Sequence, residues 1–283
     1  MKEINLFQDV RGNWLTNIDF FNMLKELEAD KCEILYIHSS LSFGMPNPEL
    51  KKKQLLEEIC KVLDELHVPT LVMPTFTFSY CNGKVYDRDN SKCKMGALNE
   101  YFRKREGVIR SVDPLMSVAV KGVDKDLALG ITTHSIGDNS TFDKLRHREN
   151  VKFLFLGTRI GDCFTYMHYL EWLYGVPYRY DRRFVGTSII DGNEVRSEYD
   201  LFVRHYNVLP NDKSYEYEEK MYADGKAFRK TFGDSTISIV EEKTGADEYR
   251  KCLLKNPSYF VDYVEGEFTP NKTFVLTKEM VAL

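Results

Sequence analysis

Two short apolar runs separated by an amphipathic stretch constrain the fold of this chain more than any other feature. Ile34–Ile37 and Thr70–Pro74 are the runs, and each has the length and composition of a buried strand. Between them, apolar residues recur at helical spacing over residues 49–66. A strand, a helix and a strand joined by short loops form a βαβ unit, whose two strands are parallel. The sequence therefore predicts an α/β protein.

The rest of the chain extends this pattern toward a single domain. Helical character is expected at residues 17–29 and 97–105, and strand character at 116–120, 151–156, 236–240 and 273–276. Asp191-Gly192-Asn193 between two β-prone runs indicates a hairpin. Residues 75–99 have little periodicity and are expected to form a long, functional loop. We expect one domain over residues 1–283, with a β-rich insertion or extension toward the C-terminus; a division near residue 178 is the alternative.

Composition excludes several classes of protein. The net charge is −4 and no basic block stands out, which argues against non-specific binding to nucleic acid. No apolar run approaches the roughly 18 residues that span a membrane. The first six residues carry charges where a signal peptide needs an apolar core, so a cytoplasmic location is expected. The six cysteines are scattered without a Cys-x-x-Cys motif, which predicts reduced thiols.

His168 and Glu171 are a candidate catalytic pair. They follow the strand at 151–156 in a segment with helical character, and their spacing of three places them on one helix face. A carboxylate beside an imidazole fixes its tautomer and raises its basicity, as a general base near pH 7 requires. The same spacing is also typical of a structural pair, so both interpretations stay open at this point.

Polar segments follow both strands of the βαβ unit, where open α/β sheets bind ligands. After the first strand, a turn over residues 38–44 offers hydroxyls and backbone N–H groups that suit phosphate; a serine-rich cap is the alternative. This turn is neither a Gly-x-Gly-x-x-Gly motif nor a Walker loop, which disfavours bound NTP or NAD. After the second strand, Thr75 and Thr77 could hydrogen-bond a substrate.

Three other groupings are open to interpretation. Arg110 and Asp113 could bind an anion and an amine, or could belong to an ordinary turn. A zinc site built from His38, His134, His168 and Glu171 is disfavoured because the spacing matches no zincin signature. A Cys163/His168 nucleophile is weaker still, because a spacing of five places the two side chains on different helix faces.

In chain order these motifs resemble the aminoglycoside 3-N-acetyltransferase (antibiotic acetyltransferase) family. The resemblance covers about residues 30–180 and rests on His38–Ser42, Leu71–Thr77, Gly96–Leu98 with Phe102-Arg103, Arg110–Ser117, Phe155–Gly157 and Thr165–Glu171. It implies a three-layer α/β/α protein with a central mixed sheet, unrelated to the GNAT fold. The core would span about residues 30–180, and the β-rich C-terminal extension about 181–283.

The resemblance also implies roles for individual residues. The enzyme would transfer an acetyl group directly from acetyl-CoA, without a metal, to an amine of an amino sugar. His168 would be the general base, and Glu171 would orient it. Thr75 or a nearby backbone N–H would polarise the thioester or stabilise the oxyanion. The residues expected at the CoA are His38, Ser39, Ser40, Leu41, Ser42, Arg110 and Ser111. The residues expected at the acceptor are Thr77, Asp113, Asp181 and Arg183.

The sequence leaves the acceptor open. Members of the family usually carry histidine where this chain has Asp113. The arginine-rich run Tyr178–Arg183 would suit an anionic, nucleotide-linked amino sugar of glycan or O-antigen biosynthesis, whereas acidic residues over 191–200 would suit a polycationic aminoglycoside in antibiotic resistance. A non-catalytic relative that binds CoA or sugar is the third interpretation. No nucleic-acid or membrane partner is expected, and a homodimer is compatible with the resemblance.

Overall fold

The computed structural model describes residues 1–264. Its strands are β1 Asn5–Gln8, β2 Trp14–Thr16, β3 Ile34–Ser39, β4 Met45–Pro46, β5 Thr70–Pro74, β6 Tyr86–Asp87, β7 Val108–Arg110, β8 Val118–Gly122, β9 Val151–Leu156, β10 Arg179–Ile190, β11 Asn193–Arg204, β12 Val208–Pro210, β13 Ala227–Phe232, β14 Ser235–Glu241 and β15 Val261–Tyr263. Its α-helices are α1 Asn17–Glu26, α2 Lys52–Glu65, α3 Ala97–Phe102, α4 Thr141–Arg146, α5 Ile160–Cys163, α6 Met167–Leu173, α7 Lys213–Ala223 and α8 Glu242–Lys255.

A mixed sheet of seven strands lies at the centre, in the order β13-β14-β9-β3-β5-β8-β7. β3 is parallel to both of its neighbours, so that Tyr36 is opposite Val72 of β5 and Phe153 of β9. The remaining pairs in this sheet are antiparallel. The βαβ unit predicted from the two apolar runs is therefore confirmed.

Helices cover both faces of this sheet because its strands are apolar on both sides. Leu35 and Ile37 of β3 belong to one buried cluster, together with apolar residues of α1, α2 and α3. Tyr36 of β3 and Phe153 of β9 belong to the other, with apolar residues of α4, α6 and α8. The predicted three-layer α/β/α architecture is confirmed.

The predicted hairpin is present and is longer than the turn signal alone indicated. β10 and β11 pair in unbroken register over twelve residues each, from Arg179↔Arg204 to Ile190↔Asn193. Asp191 and Gly192 both have positive φ, 51° and 78°, as a two-residue turn between twisted strands requires. The base of this hairpin lies directly after α6 in the chain and brings β10 beside it.

Residues beyond 180 do more than form a separate β-rich extension. β13 and β14 join the central sheet, where β14 pairs with β9, and α8 packs against α6. The division into a core of about 30–180 and an extension of about 181–283 stays a prediction. The strand expected at 273–276 lies outside the described residues.

The first two helices have well-defined starts. α1 is capped by Thr16, whose side chain exchanges hydrogen bonds with Asp19. α2 begins at Lys52, three residues later than expected, and β4 intervenes between the turn at 38–44 and this helix. Within residues 1–264, no helix is long and apolar enough to cross a membrane.

Candidate active site

His168 and Glu171 meet on α6, as their spacing predicted. His168 Nδ1 is 3.0 Å from Glu171 Oε2. The imidazole remains 39% exposed, whereas Glu171 is 4% exposed beneath it. An accessible imidazole above a buried carboxylate is the arrangement that a general base needs.

Glu171 is held by donors from three parts of the chain. Tyr178 donates its hydroxyl to Oε1 at 2.7 Å, and Tyr249 of α8 donates to the same oxygen at 3.2 Å. Arg179 Nε lies 2.7 Å from Oε2. Burial alone would raise the pKa of this carboxyl, but the charge of Arg179, the contact with His168 and the hydrogen bond from Tyr178 lower it to about 2. Glu171 is therefore an anion at any physiological pH.

The imidazole of His168 has a second charged neighbour. Arg179 Nη2 is 2.9 Å from Nδ1, the ring nitrogen that also faces Glu171. Partial burial and then the positive charge of Arg179 lower the pKa of His168 below its ordinary value, while Glu171 acts in the opposite direction. The ring is consequently neutral at pH 7, the form in which it can accept a proton.

The turn at residues 38–44 lies where β3 and β9 end. Ser40 and Ser42 donate their hydroxyls to the carbonyl oxygen of Gly157, Ser42 at 2.6 Å. Both serines are exposed, and Leu41 between them has a positive φ of 56°. Because β4 separates this turn from α2, a helix N-terminus does not directly follow the turn, contrary to the sequence expectation. What the turn offers a ligand is a pair of exposed hydroxyls.

His38 and Ser39 precede the exposed part of the turn and are less accessible. His38 is buried with its ring stacked on Phe155 at 5.2 Å, and burial lowers the pKa of His38 to about 3. Ser39 donates to Asn99 Oδ1 at 2.9 Å. Asn99 in turn donates to the carbonyl of Pro74 at 2.8 Å. Asn99 thus ties the ends of β3 and β5 together, a role that the sequence analysis missed although it included the adjoining Gly96–Leu98.

Arg110 and Thr75 are buried and hydrogen-bonded to each other. Arg110 is 5% exposed and donates from Nη2 to the Thr75 carbonyl at 2.6 Å and from Nε to the Thr75 hydroxyl at 3.2 Å. Its Nη1 donates to the carbonyls of Arg88 and Ser91. The hydroxyl of Thr75 donates to Ser117 at 3.2 Å. Arg110 therefore anchors the long loop after β5 to the sheet.

Ser111, Asp113 and Thr77 likewise bond within the protein. Ser111 Oγ accepts from the N–H of Val118 at 3.0 Å. Asp113 is 3% exposed and accepts at Oδ1 from the N–H of Leu115, the N–H of Met116 and the hydroxyl of Ser135. Burial raises the pKa of Asp113. The hydroxyl of Thr77 lies 2.7 Å from that of Ser79. These contacts organise the loops that border the strand ends.

Asp181 and Arg183 lie farther along β10, on the face that carries Arg179. Asp181 Oδ1 is 3.0 Å from His134 Nε2, and the His134 ring packs 5.6 Å from Trp172, one helical turn after His168. Arg183 forms ion pairs with Asp200 and Glu198 of β11. His134, Trp172 and Asp181 (the aromatic–carboxylate cluster) thus lie one turn along α6 from the candidate base.

The alternative chemistries find little support in this part of the structure. Within residues 1–264, no three His, Cys, Asp or Glu side chains form a group that could hold a metal ion. Cys163 lies 3.5 Å from the Thr158 hydroxyl, and burial raises the pKa of its thiol to about 12. A thiol with so high a pKa carries almost no thiolate at pH 7 and is a poor nucleophile.

Comparison with known proteins identifies the family. The family model described as aminoglycoside 3-N-acetyltransferase matches residues 37–253. This chain belongs to that family. The predictions of an acyltransferase and of acetyl-CoA as its donor are thereby confirmed at the level of the family. Comparison with curated protein sequences finds no significant match.

Several solved structures share the fold of this chain. YokD from Bacillus subtilis is 20% identical, with a TM-score of 0.70 over 86% of this chain and 94% of that one. AAC-IIIb in a binary complex with CoASH is 18% identical, with a TM-score of 0.72 over 85% and 97%. A mutant of AAC(3)-IVa in complex with a gentamicin is 18% identical, with a TM-score of 0.70 over 92% and 93%. The predicted fold class is confirmed by these likenesses.

Proposed function

We propose that this chain is an N-acetyltransferase that moves the acetyl group of acetyl-CoA to an amine of an amino sugar, with His168 as general base. One observation carries the proposal, namely the exposed imidazole of His168 held by the buried, ionised Glu171 at 3.0 Å. The family match supports the donor and the type of reaction.

The chemistry follows from the protonation states. An ammonium ion has no lone pair, so the acceptor must first release one proton to solvent. The neutral amine then attacks the thioester carbonyl while His168 removes its second proton. The C–N bond forms, the C–S bond breaks, and the imidazolium of His168 returns the proton to the departing CoA thiolate. Glu171 stabilises the transient imidazolium because it remains charged throughout.

The donor would bind across the ends of β3 and β9. Ser40 and Ser42 present exposed hydroxyls there, and each could donate to a phosphate or amide oxygen of CoA by exchanging its present bond to the Gly157 carbonyl. The hydroxyl of Thr75 could polarise the thioester only if it gave up one of its present hydrogen bonds, to Ser117 or from Arg110. We therefore assign Thr75 no proton-transfer step.

Charge favours a cationic acceptor. Two of the three arginines that suggest an anionic sugar are paired with carboxylates: Arg179 with Glu171, and Arg183 with Asp200 and Glu198. The side chain of Asp181 is 52% exposed, and its carboxylate lies beside the rings of His134 and Trp172. Aromatic rings together with a carboxylate suit an amino sugar that carries ammonium groups.

A thiol-release assay with acetyl-CoA tests the proposal. The acceptors are a panel of aminoglycosides and a panel of nucleotide-linked amino sugars. We expect turnover with an aminoglycoside, and we expect His168→Ala to lower kcat/KM by about 10²–10⁴-fold, the usual contribution of a general base. His147→Ala, at an exposed histidine that ends α4, is the matched control and should retain the rate.

The other possible results of the thiol-release assay distinguish the remaining interpretations. Turnover restricted to nucleotide-linked sugars would keep the mechanism and transfer the protein to glycan assembly. Equal rates for the wild type and His168→Ala would contradict the assignment of the base. CoA binding without turnover on either panel would favour the non-catalytic interpretation.

A further inference from the structure

His168 Nδ1 has two neighbours that make opposite demands on it. Glu171 Oε2 lies at 3.0 Å and Arg179 Nη2 at 2.9 Å. A carboxylate accepts hydrogen bonds and a guanidinium only donates them. Nδ1 of a neutral imidazole carries either a proton or a lone pair, so it can satisfy one neighbour at a time.

The two choices leave the exposed nitrogen in different states. When Nδ1 holds the proton and donates to Glu171, Nε2 has a free lone pair and can act as a base. When Nδ1 accepts from Arg179, the proton lies on Nε2 and the ring can only donate there. The contact with Arg179 therefore favours the tautomer that is unable to deprotonate an amine.

The guanidinium is held at Nδ1 by independent contacts. Its Nε lies 2.7 Å from Glu171 Oε2, and its Nη1 donates to the carbonyl of Phe202 on β11 at 3.2 Å. Arg179 is the first residue of β10 and is 9% exposed, so strand pairing and packing fix its backbone. A planar fork anchored on two sides presents its remaining nitrogen to the ring in one orientation.

We propose that Arg179 is a positioning residue that holds His168 in its Nε2–H tautomer in the free enzyme. The ring becomes a base only when Nη2 moves away from Nδ1: Nε2 then releases its proton to solvent, Nδ1 takes up a proton from solvent, and Nδ1–H donates to Glu171. A guanidinium that stays paired with Glu171 through Nε needs only a small rotation for this exchange. The effect on catalysis rests on the proposed function, whereas the tautomer itself does not.

Histidine ¹⁵N NMR on the full-length protein tests the tautomer directly. Two-bond ¹⁵N–¹H correlations at pH 8 distinguish Nδ1–H from Nε2–H, and the His168 signals are those missing in His168→Ala. We expect Nε2–H to predominate in the wild type and Nδ1–H in Arg179→Met. A wild type that already shows Nδ1–H, or an Arg179→Met spectrum without a change, would overturn the proposal.

Two further variants separate geometry from charge and from disturbance of Glu171. Arg179→Lys keeps a positive charge beside Glu171 but lacks the planar fork that places one nitrogen at Oε2 and another at Nδ1. Its single ammonium nitrogen should pair with the carboxylate, so this variant should also shift to Nδ1–H. This variant serves if Arg179→Met fails to fold. Tyr249→Phe removes another Glu171 partner without touching Nδ1 and should keep the wild-type tautomer. A shift in Tyr249→Phe would show that any loosening of Glu171 suffices, and would overturn the role of Arg179.

The pH profile of kcat/KM adds a readout that a purely structural role would not move. The charged groups that act on the ring are Arg179, Glu171 and Arg204. Removing the charge of Arg179 raises the pKa of His168, so the acid limb should move to higher pH in Arg179→Met and stay near the wild type in Arg179→Lys. If Arg179→Met lowered kcat/KM but left the acid limb of its pH profile unmoved, the proposed effect of Arg179 on catalysis would be contradicted. An inactive wild type would contradict only the proposed function. The tautomer proposal would stand, because the NMR result does not depend on turnover.

Discussion

At the scale of the residue, Glu171 couples the candidate site to the stability of the protein. Its folded-state pKa of about 2 lies below the ordinary 4.5, so its ionised form stabilises the native state at pH values above 4.5. That contribution is lost as the pH falls from 4.5 through about 2. The carboxylate that we propose orients the general base should therefore also contribute to the stability of the protein against acid.

We expect Glu171→Gln to destabilise the protein by about 3 kcal/mol at pH 7, because it leaves Arg179 buried without its counter-charge. The difference from the wild type should shrink as the pH approaches 2, where wild-type Glu171 becomes protonated. Thermal melts across this range measure it. Glu106→Gln, at an exposed glutamate, is the control and should track the wild type; a Glu171→Gln difference that does not vary with pH would contradict the linkage.

At the scale of the element, the end of β9 and the turn after β3 are in close contact. Gly157 follows β9 with a φ of +70°, and a Cβ there would lie 2.8 Å from the backbone nitrogen of Ser42. Any side chain at this position must displace the turn that carries the exposed serine hydroxyls. The turn proposed to bind the donor and the end of β9 are therefore in close contact.

We expect Gly157→Ala to raise KM for acetyl-CoA several-fold and to change KM for the acceptor much less, because the displaced turn is on the donor side. Gly130→Ala is the matched control. Gly130 has a φ of +62° but nothing within 4 Å of its Cβ position, so it incurs only the backbone strain of about 1–2 kcal/mol. Steady-state kinetics with each substrate varied in turn test this prediction. Equal KM values for acetyl-CoA in the two variants would indicate that the donor binds elsewhere.

Elements and local pairs could be predicted from sequence because their signals are local. The apolar runs of β3 and β5 have strand length, and residues three apart on α6 share a face, so the sheet core and the His168–Glu171 pair followed directly. Contacts between distant segments have no such signal. Tyr249 reaches Glu171 across 78 residues of sequence, and β14 joins β9 from the far end of the chain.

Polar residues near strand ends were the hardest to interpret. Arg110 and Asp113 have the chemistry of binding residues, and their side chains bond inward to Thr75 and to the N–H groups of Leu115 and Met116. A buried backbone carbonyl or N–H requires a partner as much as a ligand does. Sequence shows that a donor or acceptor is present but not which group it satisfies.

At the scale of the whole molecule, the six cysteines remain thiols distributed through the fold. Burial raises the pKa of Cys32 and Cys60 to about 12, and that of Cys81 and Cys93 to about 11. Since the thiolate is the reactive form, these groups should resist modification in the native protein.

We expect the native protein at pH 8 to release less than about one equivalent of thionitrobenzoate from Ellman's reagent. The denatured protein should release six equivalents, one for each cysteine. Rapid reaction of one thiol in the native state would contradict this burial. The measurement also sets the background of the CoA-release assay, which uses the same reagent.

β9 is followed by the short helix α5 and then by α6, which carries His168, and β9 lies between β3 and β14 in the sheet. During translation β3, β9 and α6 emerge before residues 235–241 that form β14, and Tyr249 emerges later still. A nascent chain therefore passes through a stage in which the proposed catalytic side chains are already synthesised while β9 is an open sheet edge and Glu171 lacks one of its partners. Open edges invite pairing with other chains. Products of premature termination in this interval should aggregate, and acetyl transfer should begin only once the ribosome has passed α8.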